Sequence, residues 1–284
     1  MNRVCVLTDS TAQFPDHSFP GQETVNVLPF EVRLQTETGT PTEKLRAGDL
    51  PVSLFSKRTV ELTIPSVADF QSEFARLGTS YTDILTVLSS GRLTASVQNA
   101  RQAAQGLPRG VRVEVVDTQT AGVGLGYVVQ AAAAAALTGR PVDEIRKDLL
   151  GMVAHVYSIF CVRGLSYLQM HSLINYSQAF VGEMLGVVPI YVLNLDRAQP
   201  LYKVRNARQL VEYLLEFIQE FTDLKRAALF YGLPVFDQEV RLLRERIRAI
   251  LPELPLSEHA ITPALASLLG PQSIGLFLWE GVSG

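Results

Sequence analysis

Residues 83–90, with the sequence DILTVLSS, form a nearly continuous apolar run that ends in two serines. An apolar run of this length is typical of a strand that is buried on both faces of a parallel sheet. Helix-forming segments precede and follow it, at 65–78 and 94–106, and another strand-like run begins at residue 111. Strands that alternate with helices at this spacing predict βαβ units and a doubly wound parallel sheet.

The second half of the chain has a different pattern. Strand-like segments begin at residues 156, 189 and 199, and an amphipathic helix follows them at 206–221. Strands that follow one another this closely favour antiparallel pairing. We therefore predict an α/β protein with two domains. Residues 1–155 form an N-terminal domain with the parallel doubly wound sheet, and residues 156–284 form a C-terminal α+β domain with a largely antiparallel sheet.

The composition excludes several classes of partner. The chain is 47% hydrophobic, 19% charged and carries a net charge of −3, without a basic stripe, so we expect no nucleic acid partner. The longest nearly apolar run, residues 122–139, is too short and too interrupted for stable membrane insertion, and the first residues lack the pattern of a signal peptide. Cys5 and Cys161 lie in apolar runs and are expected to be buried free thiols, which favours a cytoplasmic location.

The sequence offers no recognisable catalytic set. Its four histidines are scattered without metal-ligand spacing, and it contains neither a G-x-S-x-G motif nor a phosphate-binding P-loop. We therefore predict a binding protein without metal, cofactor or catalytic residues. One alternative remains, a nucleotide- or small-molecule-binding enzyme of the doubly wound class, because Gly122, Gly124 and Gly126 follow a strand and open a helix. Their spacing is G-x-G-x-G rather than the dinucleotide pattern G-x-G-x-x-G, so a tight turn with close helix packing is the simpler interpretation.

Hydroxyl-rich loops follow several of the apolar strands. Such residues commonly cap helices and order turns, but hydroxyls at helix N-termini also bind anions. In open α/β sheets, ligands lie beyond the carboxyl ends of the strands, which is where these loops are expected. The candidate ligand-binding residues are Asp9, Ser10, Thr11, Thr63, Ser66, Ser90, Thr94 and Ser96.

Four segments in order along the first half resemble the DegV family of bacterial fatty-acid-binding proteins. They are VLTDSTAQFP, TIPSVADFQSEF, LSSGRLTASVQNARQAA and VEVVDTQTAGVGLGYVVQAAAAA. The second half agrees, from GLSYLQMHSLINYSQAF to the closing GPQSIGLFL. The resemblance implies that a long-chain fatty acid is buried between the two domains, with hydroxyls holding its carboxylate. It also implies that a separate fatty acid kinase receives the acid, with Arg205 as the docking residue. Asp9, Ser10 and Thr11 would then order the loop.

The chain departs from the family pattern at three head-group positions. Leu62 stands where the family has a threonine ligand, so Thr63 would have to replace it, while Leu173 and Leu268 stand in place of an arginine and a histidine. Each lost donor to a buried carboxylate costs about 1–3 kcal/mol. Two hypotheses remain open. Either Thr63, Ser90, Thr94 and Ser96 still hold a shifted carboxylate, or the pocket takes a lipid with a less polar or different head group.

Overall fold

The computed structural model describes residues 3–35, 45–55, 59–107, 110–194, 197–232 and 236–281. The chain divides into two compact units. The first unit comprises residues 1–30 and 63–155, and the second comprises residues 31–62 and 156–284.

The placement of residues 31–62 corrects the sequence-based domain assignment, which put them in the N-terminal domain. Two hydrogen bonds explain why they belong to the second unit. The Tyr167 hydroxyl donates to the carbonyl of Pro51 at 2.6 Å, and the Leu54 amide donates to Ser166 Oγ at 2.8 Å. The segment carries few apolar residues in a strand or helix period, so the sequence alone did not show which core it joins.

The secondary structure follows the predicted alternation in the first unit and a strand-rich order in the second. The strands are β1 (Val4–Asp9), β2 (Val25–Leu28), β3 (Glu31–Gln35), β4 (Thr59–Thr63), β5 (Asp83–Leu88), β6 (Arg112–Asp117), β7 (Val156–Val162), β8 (Val188–Asn194), β9 (Arg197–Val204), β10 (Leu224–Tyr231), β11 (Leu256–Ala260) and β12 (Ser273–Glu280). The helices are α1 (Val67–Gly78), α2 (Ser96–Gln105), α3 (Gly122–Ala136), α4 (Val142–Val153), α5 (Leu165–Met170), α6 (Tyr176–Met184), α7 (Ala207–Gln219), α8 (Asp237–Ile250) and α9 (Pro263–Leu269).

The first unit contains a four-stranded parallel sheet with the order β2-β1-β5-β6. Every residue of β1 and β5 is buried, as the continuous apolar runs predict. Because side chains alternate along a strand, Cys5 and Ile84, which are register partners, face α1 and α2 in one apolar core. Helices α3 and α4 pack against β1, β5 and β6 as well as against each other. The predicted doubly wound parallel sheet is confirmed.

Helix α1 begins as the sequence predicts. Ser66 is its N-cap, and a capping box links Ser66 with Asp69. Phe70, Phe74 and Leu77 then bury one face of the helix at spacings of four and three residues. The segment between β4 and α1 therefore serves to cap α1.

The second unit contains a six-stranded sheet with the order β11-β10-β12-β7-β8-β9. Among the pairs of that sheet that the structure describes, β10 and β11 run parallel and the others run antiparallel. Helices α7 and α8 supply Leu214 and Leu243 to a core that also contains Ile159 and Leu276 from the sheet. The predicted, largely antiparallel C-terminal sheet is thus confirmed.

Both cysteines are buried and free, as expected from their apolar surroundings. Burial raises the pKa of the Cys5 and Cys161 thiols to about 12. Neither thiol is therefore ionised near neutral pH, and neither is a nucleophile. Within the described ranges, the helices are too short or too polar to cross a bilayer.

Candidate functional site

The carboxyl ends of β1, β5 and β6 meet at one edge of the parallel sheet, and three loops leave the sheet there. We call residues 9–14 the first loop, residues 89–96 the second loop and residues 117–121 the third loop; the second loop ends at the first residue of α2, and the third loop begins at the last residue of β6. Hydrogen bonds donated by backbone amides join these loops. The Ser89 amide donates to the Asp9 carboxylate at 2.7 Å, and the Ser90 amide donates to the Thr120 carbonyl at 2.7 Å. The candidate site is therefore built on rigid strands of a single unit.

Asp9 organises the first loop. Its side chain is completely buried, and its Oδ1 accepts from the Thr11 amide at 3.0 Å and from the Thr11 hydroxyl at 2.5 Å. Its Oδ2 accepts from the amide of Ser89 in the second loop. The Ser10 hydroxyl oxygen accepts from the Phe30 amide at 2.8 Å. The carboxylate of this loop is thus occupied by donors from the chain itself.

The second loop also buries its hydroxyls, but it contains no carboxylate. Ser90 and Ser96 are 2% and 0% exposed, and Thr94 is 9% exposed. The Thr94 hydroxyl donates to Ser96 Oγ at 3.1 Å, while Ser90 Oγ accepts from the Arg92 amide at 3.2 Å. Among the described residues, the hydroxyl protons of Ser90 and Ser96 have no acceptor. Ser89 Oγ is also buried without a partner among the described residues, so the loop retains three buried donors that can bind an added oxygen ligand.

The start of α2 adds a favourable electrostatic environment for an anion. Its N-cap residue is Ala95, which has no side-chain oxygen to cap the first amides. The Ser96 amide reaches Thr94 Oγ1 only at 3.4 Å. Because the N-terminal end of a helix carries partial positive charge, a carboxylate beside Thr94 and Ser96 would be stabilised.

The loop between β4 and α1 lies next to the first turn of α2, because Asn99 donates through its side chain to the Pro65 carbonyl at 2.8 Å. Thr63 is exposed, and its hydroxyl has no partner in the part of the chain that the structure describes. Ser66 is different, since its hydroxyl donates to Asp69 Oδ2 at 2.7 Å and accepts from the Asp69 amide at 3.2 Å. Ser66 serves the helix cap, while Thr63 keeps a free hydroxyl.

The third loop contains polar residues that the sequence analysis did not select. Asp117 Oδ1 accepts from the amides of Gly91 and Gln119, at 3.2 and 2.9 Å. Gln119 adopts a left-handed conformation with φ of 56°, and its buried side-chain oxygen finds no donor among the described residues. The signal was present, because the sequence DTQT after β6 repeats the pattern of DST after β1.

The glycines of the enzymatic alternative are explained by packing. A Cβ at Gly126 would collide with the backbone of Gln13, so the first loop lies directly on α3 at this position. The Gln13 amide also donates to the Gly122 carbonyl at 3.0 Å. The first loop therefore fills the space beside these glycines, which a nucleotide pyrophosphate would have to occupy in the dinucleotide-binding arrangement.

The second unit contains a large apolar cavity of about 1020 Å³. Its walls include Leu165, Leu173, Val181 and Leu185 from α5, α6 and their connections, and Tyr191 from β8. Leu173, one of the three departures from the family pattern, thus belongs to an apolar wall. Of the other two, Leu268 is completely buried in α9 and Leu62 is half-buried in β4.

Arg205 lies between β9 and α7 and is exposed. Its backbone amide donates to Gln209 Oε1 at 3.0 Å, and its guanidinium forms no ion pair with any described residue. Arg163 and Lys203 line the same surface depression, which has a volume of about 380 Å³. Because Glu239 also lines it, the depression combines three cations with one carboxylate and carries a net positive charge.

Metal binding has no support in the described ranges, where no group of three or more His, Cys, Asp and Glu side chains could hold an ion. The polar groups at the sheet edge are hydroxyls, amides and the carboxylates of Asp9 and Asp117, which already accept hydrogen bonds from the chain. This set suits the binding of an anion rather than acid–base catalysis.

Comparison with known proteins gives a consistent result. The family model described as "Uncharacterised protein, DegV family" matches residues 3–281. A DegV domain-containing protein of Deinococcus radiodurans is 27% identical over 97% of this chain and 98% of its own length. A DegV domain-containing protein of Streptomyces coelicolor is 30% identical over 75% of each chain.

Two solved structures show the same fold. A DegV family protein from Thermus thermophilus, described as binding fatty acid, is 25% identical with a TM-score of 0.81 and covers 98% of this chain and 100% of its own. The Fatty Acid Kinase B3 protein of Streptococcus pneumoniae, loaded with linoleic acid, has a TM-score of 0.80 over 99% of both chains at 14% identity. At that identity, the second likeness concerns the fold alone.

Proposed function

Because this chain belongs to the DegV family, we propose that it binds a long-chain fatty acid and holds the carboxylate with hydroxyls of the second loop. The observation that carries this proposal is the pair of unused hydroxyl donors on Ser90 and Ser96, buried beside Thr94 at the start of α2. A carboxylate is acceptor-only when ionised and needs such donors. Thr63 supplies a further hydroxyl in place of the threonine that Leu62 replaces.

The acyl chain needs an apolar container. The cavity of the second unit, at about 1020 Å³, is at the upper end of the range of small-molecule sites, and Leu165, Val181 and Leu185 give it apolar walls. The role is binding and delivery, without a chemical step on the protein.

The first experiment is mass spectrometry of the small molecules that denaturation releases from freshly purified protein. A fatty acid at near-stoichiometric amount supports the proposal. A lipid with another head group would mean that Leu62, Leu173 and Leu268 have redefined the polar end of the site. A nucleotide instead of a lipid would overturn the proposal in favour of the glycine-loop alternative.

Titration of the delipidated protein with palmitate then tests the individual hydroxyls. Thr94→Val preserves the shape of the side chain and removes the hydroxyl that donates to Ser96 Oγ and so leaves the Ser96 proton for the ligand. We expect it to weaken binding by about tenfold, the effect of losing one hydrogen bond to a charged group. Thr79→Val is the matched control, because the Thr79 hydroxyl donates to the Arg76 carbonyl at the far end of α1. Equal affinity of both variants would contradict the assignment of the second loop.

We further propose that the protein presents its fatty acid to a fatty acid kinase through the basic depression around Arg205. The exposed guanidinium without an ion pair among the described residues supports this, as does its proximity to Arg163 and Lys203. With the purified kinase of the same organism, Arg205→Ala should abolish binding while the lipid content stays unchanged. Arg208→Ala, which removes a guanidinium paired with Glu212 at 2.9 Å, is the control. Unchanged kinase binding by Arg205→Ala would refute the docking role.

A further inference from the structure

A second cavity of the second unit lies on the sheet face that α7 covers. Its volume is about 560 Å³. Ile159 of β7 and Val192 of β8 form its floor and belong to the same apolar core as the buried side of α7. Tyr191, the neighbour of Val192, lines the large apolar cavity instead, and adjacent side chains of a strand point to opposite faces. The floors of the two cavities therefore lie on opposite faces of the sheet, while Leu201 and Tyr202 of the edge strand β9 line both cavities.

Five aromatic side chains line this second cavity. The rings of Tyr157 and Phe221 have centroids 4.7 Å apart, and those of Phe217 and Phe221 are 5.3 Å apart. Tyr202 stacks on Tyr213 with centroids 4.2 Å apart and an angle of 6° between the planes. Rings that contact each other in this way hold one another in place, so the walls are already formed before a ligand binds.

Three carboxylates complete the lining. Glu216 and Glu220 lie one turn apart on α7, and Glu280 lies at the end of β12. Among the described residues, none of the three forms an ion pair, and no lysine, arginine or histidine lines the cavity. Glu280 accepts a long hydrogen bond of 3.4 Å from the Tyr157 hydroxyl.

The neighbouring turn of the same helix shows the usual arrangement. There, Glu212 pairs with Arg208 at 2.9 Å. Glu216 and Glu220 instead place two like charges four residues apart, which destabilises a helix unless a cation lies nearby. Aromatic ring faces carry the negative part of a quadrupole, so the rings and the carboxylates favour the same sign of charge.

We propose that this cavity binds a small organic ammonium ion, such as an alkylammonium or a polyamine. A compact inorganic cation is strongly hydrated and would not gain from ring faces, whereas an ammonium group with attached carbon atoms contacts the rings and the carboxylates at once. The residues of this site belong to the second unit, whereas the hydroxyls proposed to hold the fatty acid carboxylate belong to the first unit. Its failure and the failure of the fatty acid proposal are therefore distinguishable.

The test is isothermal titration calorimetry of the purified full chain with two matched probes. Choline carries a quaternary ammonium group, and 3,3-dimethylbutan-1-ol is its neutral analogue of the same shape. We expect choline to bind at least about tenfold more tightly, because the analogue lacks the charge that rings and carboxylates attract. Spermidine, with several ammonium groups, should bind more tightly than choline. Equal binding of choline and its neutral analogue would overturn the proposal.

Variants locate the site. The double substitution Glu216→Gln with Glu220→Gln should weaken spermidine binding by about tenfold, since two of the three nearby charges are removed. Glu212→Gln changes the same charge on the same helix outside the cavity and should change the affinity by less than about twofold. Tyr213→Leu should weaken choline more than spermidine, because choline depends more on ring faces. Loss of affinity in Glu212→Gln equal to that of the double variant would show nonspecific attraction and refute the site.

Discussion

The first and second loops lie at the same edge of one sheet and are both rich in hydroxyls, yet they use their hydrogen-bonding groups in opposite ways. In the first loop, Asp9 accepts from the Thr11 amide, the Thr11 hydroxyl and the Ser89 amide. In the second loop, Ser90 and Ser96 keep hydroxyl protons without an acceptor among the described residues. The difference is that only the first loop carries its own carboxylate.

Under the proposed function, this comparison distinguishes a structural loop from a loop that binds the carboxylate. A buried carboxylate within a loop satisfies the donors around it, so the loop becomes rigid and has little left to offer a ligand. A loop with buried donors and no carboxylate keeps those donors available for an external anion. The first loop should therefore respond to substitution with a loss of stability, and the second loop with a loss of affinity.

The largest effect is expected at Gly126, where the first loop rests on α3. Gly126→Ala places a methyl group against the backbone of Gln13, which cannot move aside as a side chain could. We expect the free energy of unfolding to fall by about 2–4 kcal/mol, the upper part of the range for overpacked positions. Urea denaturation followed by circular dichroism measures it.

The matched control for Gly126 is Gly151, which lies within α4 with open space around its Cβ position. Gly151→Ala should raise the stability by about 0.5–1 kcal/mol, because alanine lowers the entropy of the unfolded chain. Similar unfolding free energies for the two alanine variants would show that the first loop does not depend on contact with α3.

The second-largest loss of stability is expected for Asp9→Ala. It leaves two backbone amides and a hydroxyl without their buried acceptor, and we expect a loss of about 2–3 kcal/mol in the free energy of unfolding. Ser96→Ala in the second loop should cost less than about 1 kcal/mol and should instead weaken palmitate binding. The distinction between the loops fails if Ser96→Ala is as destabilising as Asp9→Ala while palmitate affinity is unchanged.

Much of this fold follows from the sequence because its signals are strong and local. The apolar runs of β1 and β5, the capping box at Ser66 and the amphipathic pattern of α7 all appear in the structure as predicted. The short helices α5 and α9 were not predicted, since six or seven residues give too few turns for a helical period to show.

The candidate site was less predictable, because its roles depend on partners that are distant in the chain. Asp9 and Ser89 are 80 positions apart, and no local pattern shows that one satisfies the other. The identity of Ser66 as a helix cap was recognisable from Asp69 three residues later, whereas the unusual backbone of Gln119 was not. The sequence therefore shows which loops are rich in hydroxyl groups, but it does not show which hydrogen bonds those groups form.

The loop between β4 and α1 is the third case, in which a helix carboxylate satisfies the hydroxyl. The hydrogen bond from the Ser66 side chain, followed by that from the Ser66 backbone, lowers the pKa of Asp69 below its ordinary value of 3.8. A carboxyl group with a lowered pKa in the folded state adds stability above its unfolded pKa, and this stability is lost as the pH falls through the folded value. The ionised form of Asp69 therefore stabilises α1 near neutral pH and no longer does so in strong acid.

Asp69→Asn tests this smallest effect. We expect it to lower the free energy of unfolding by less than about 1 kcal/mol at pH 7, because the carboxylate is exposed and screened by solvent. The difference from the wild type should shrink as the pH falls below about 4, where the wild-type carboxyl takes up its proton. Palmitate affinity at pH 7 should stay within about twofold of the wild type, since Asp69 and Ser66 serve each other. A difference in stability that stays constant down to pH 2 would contradict the role of the ionised carboxylate. A large loss of palmitate affinity would show that this loop takes part in binding, as proposed for the second loop.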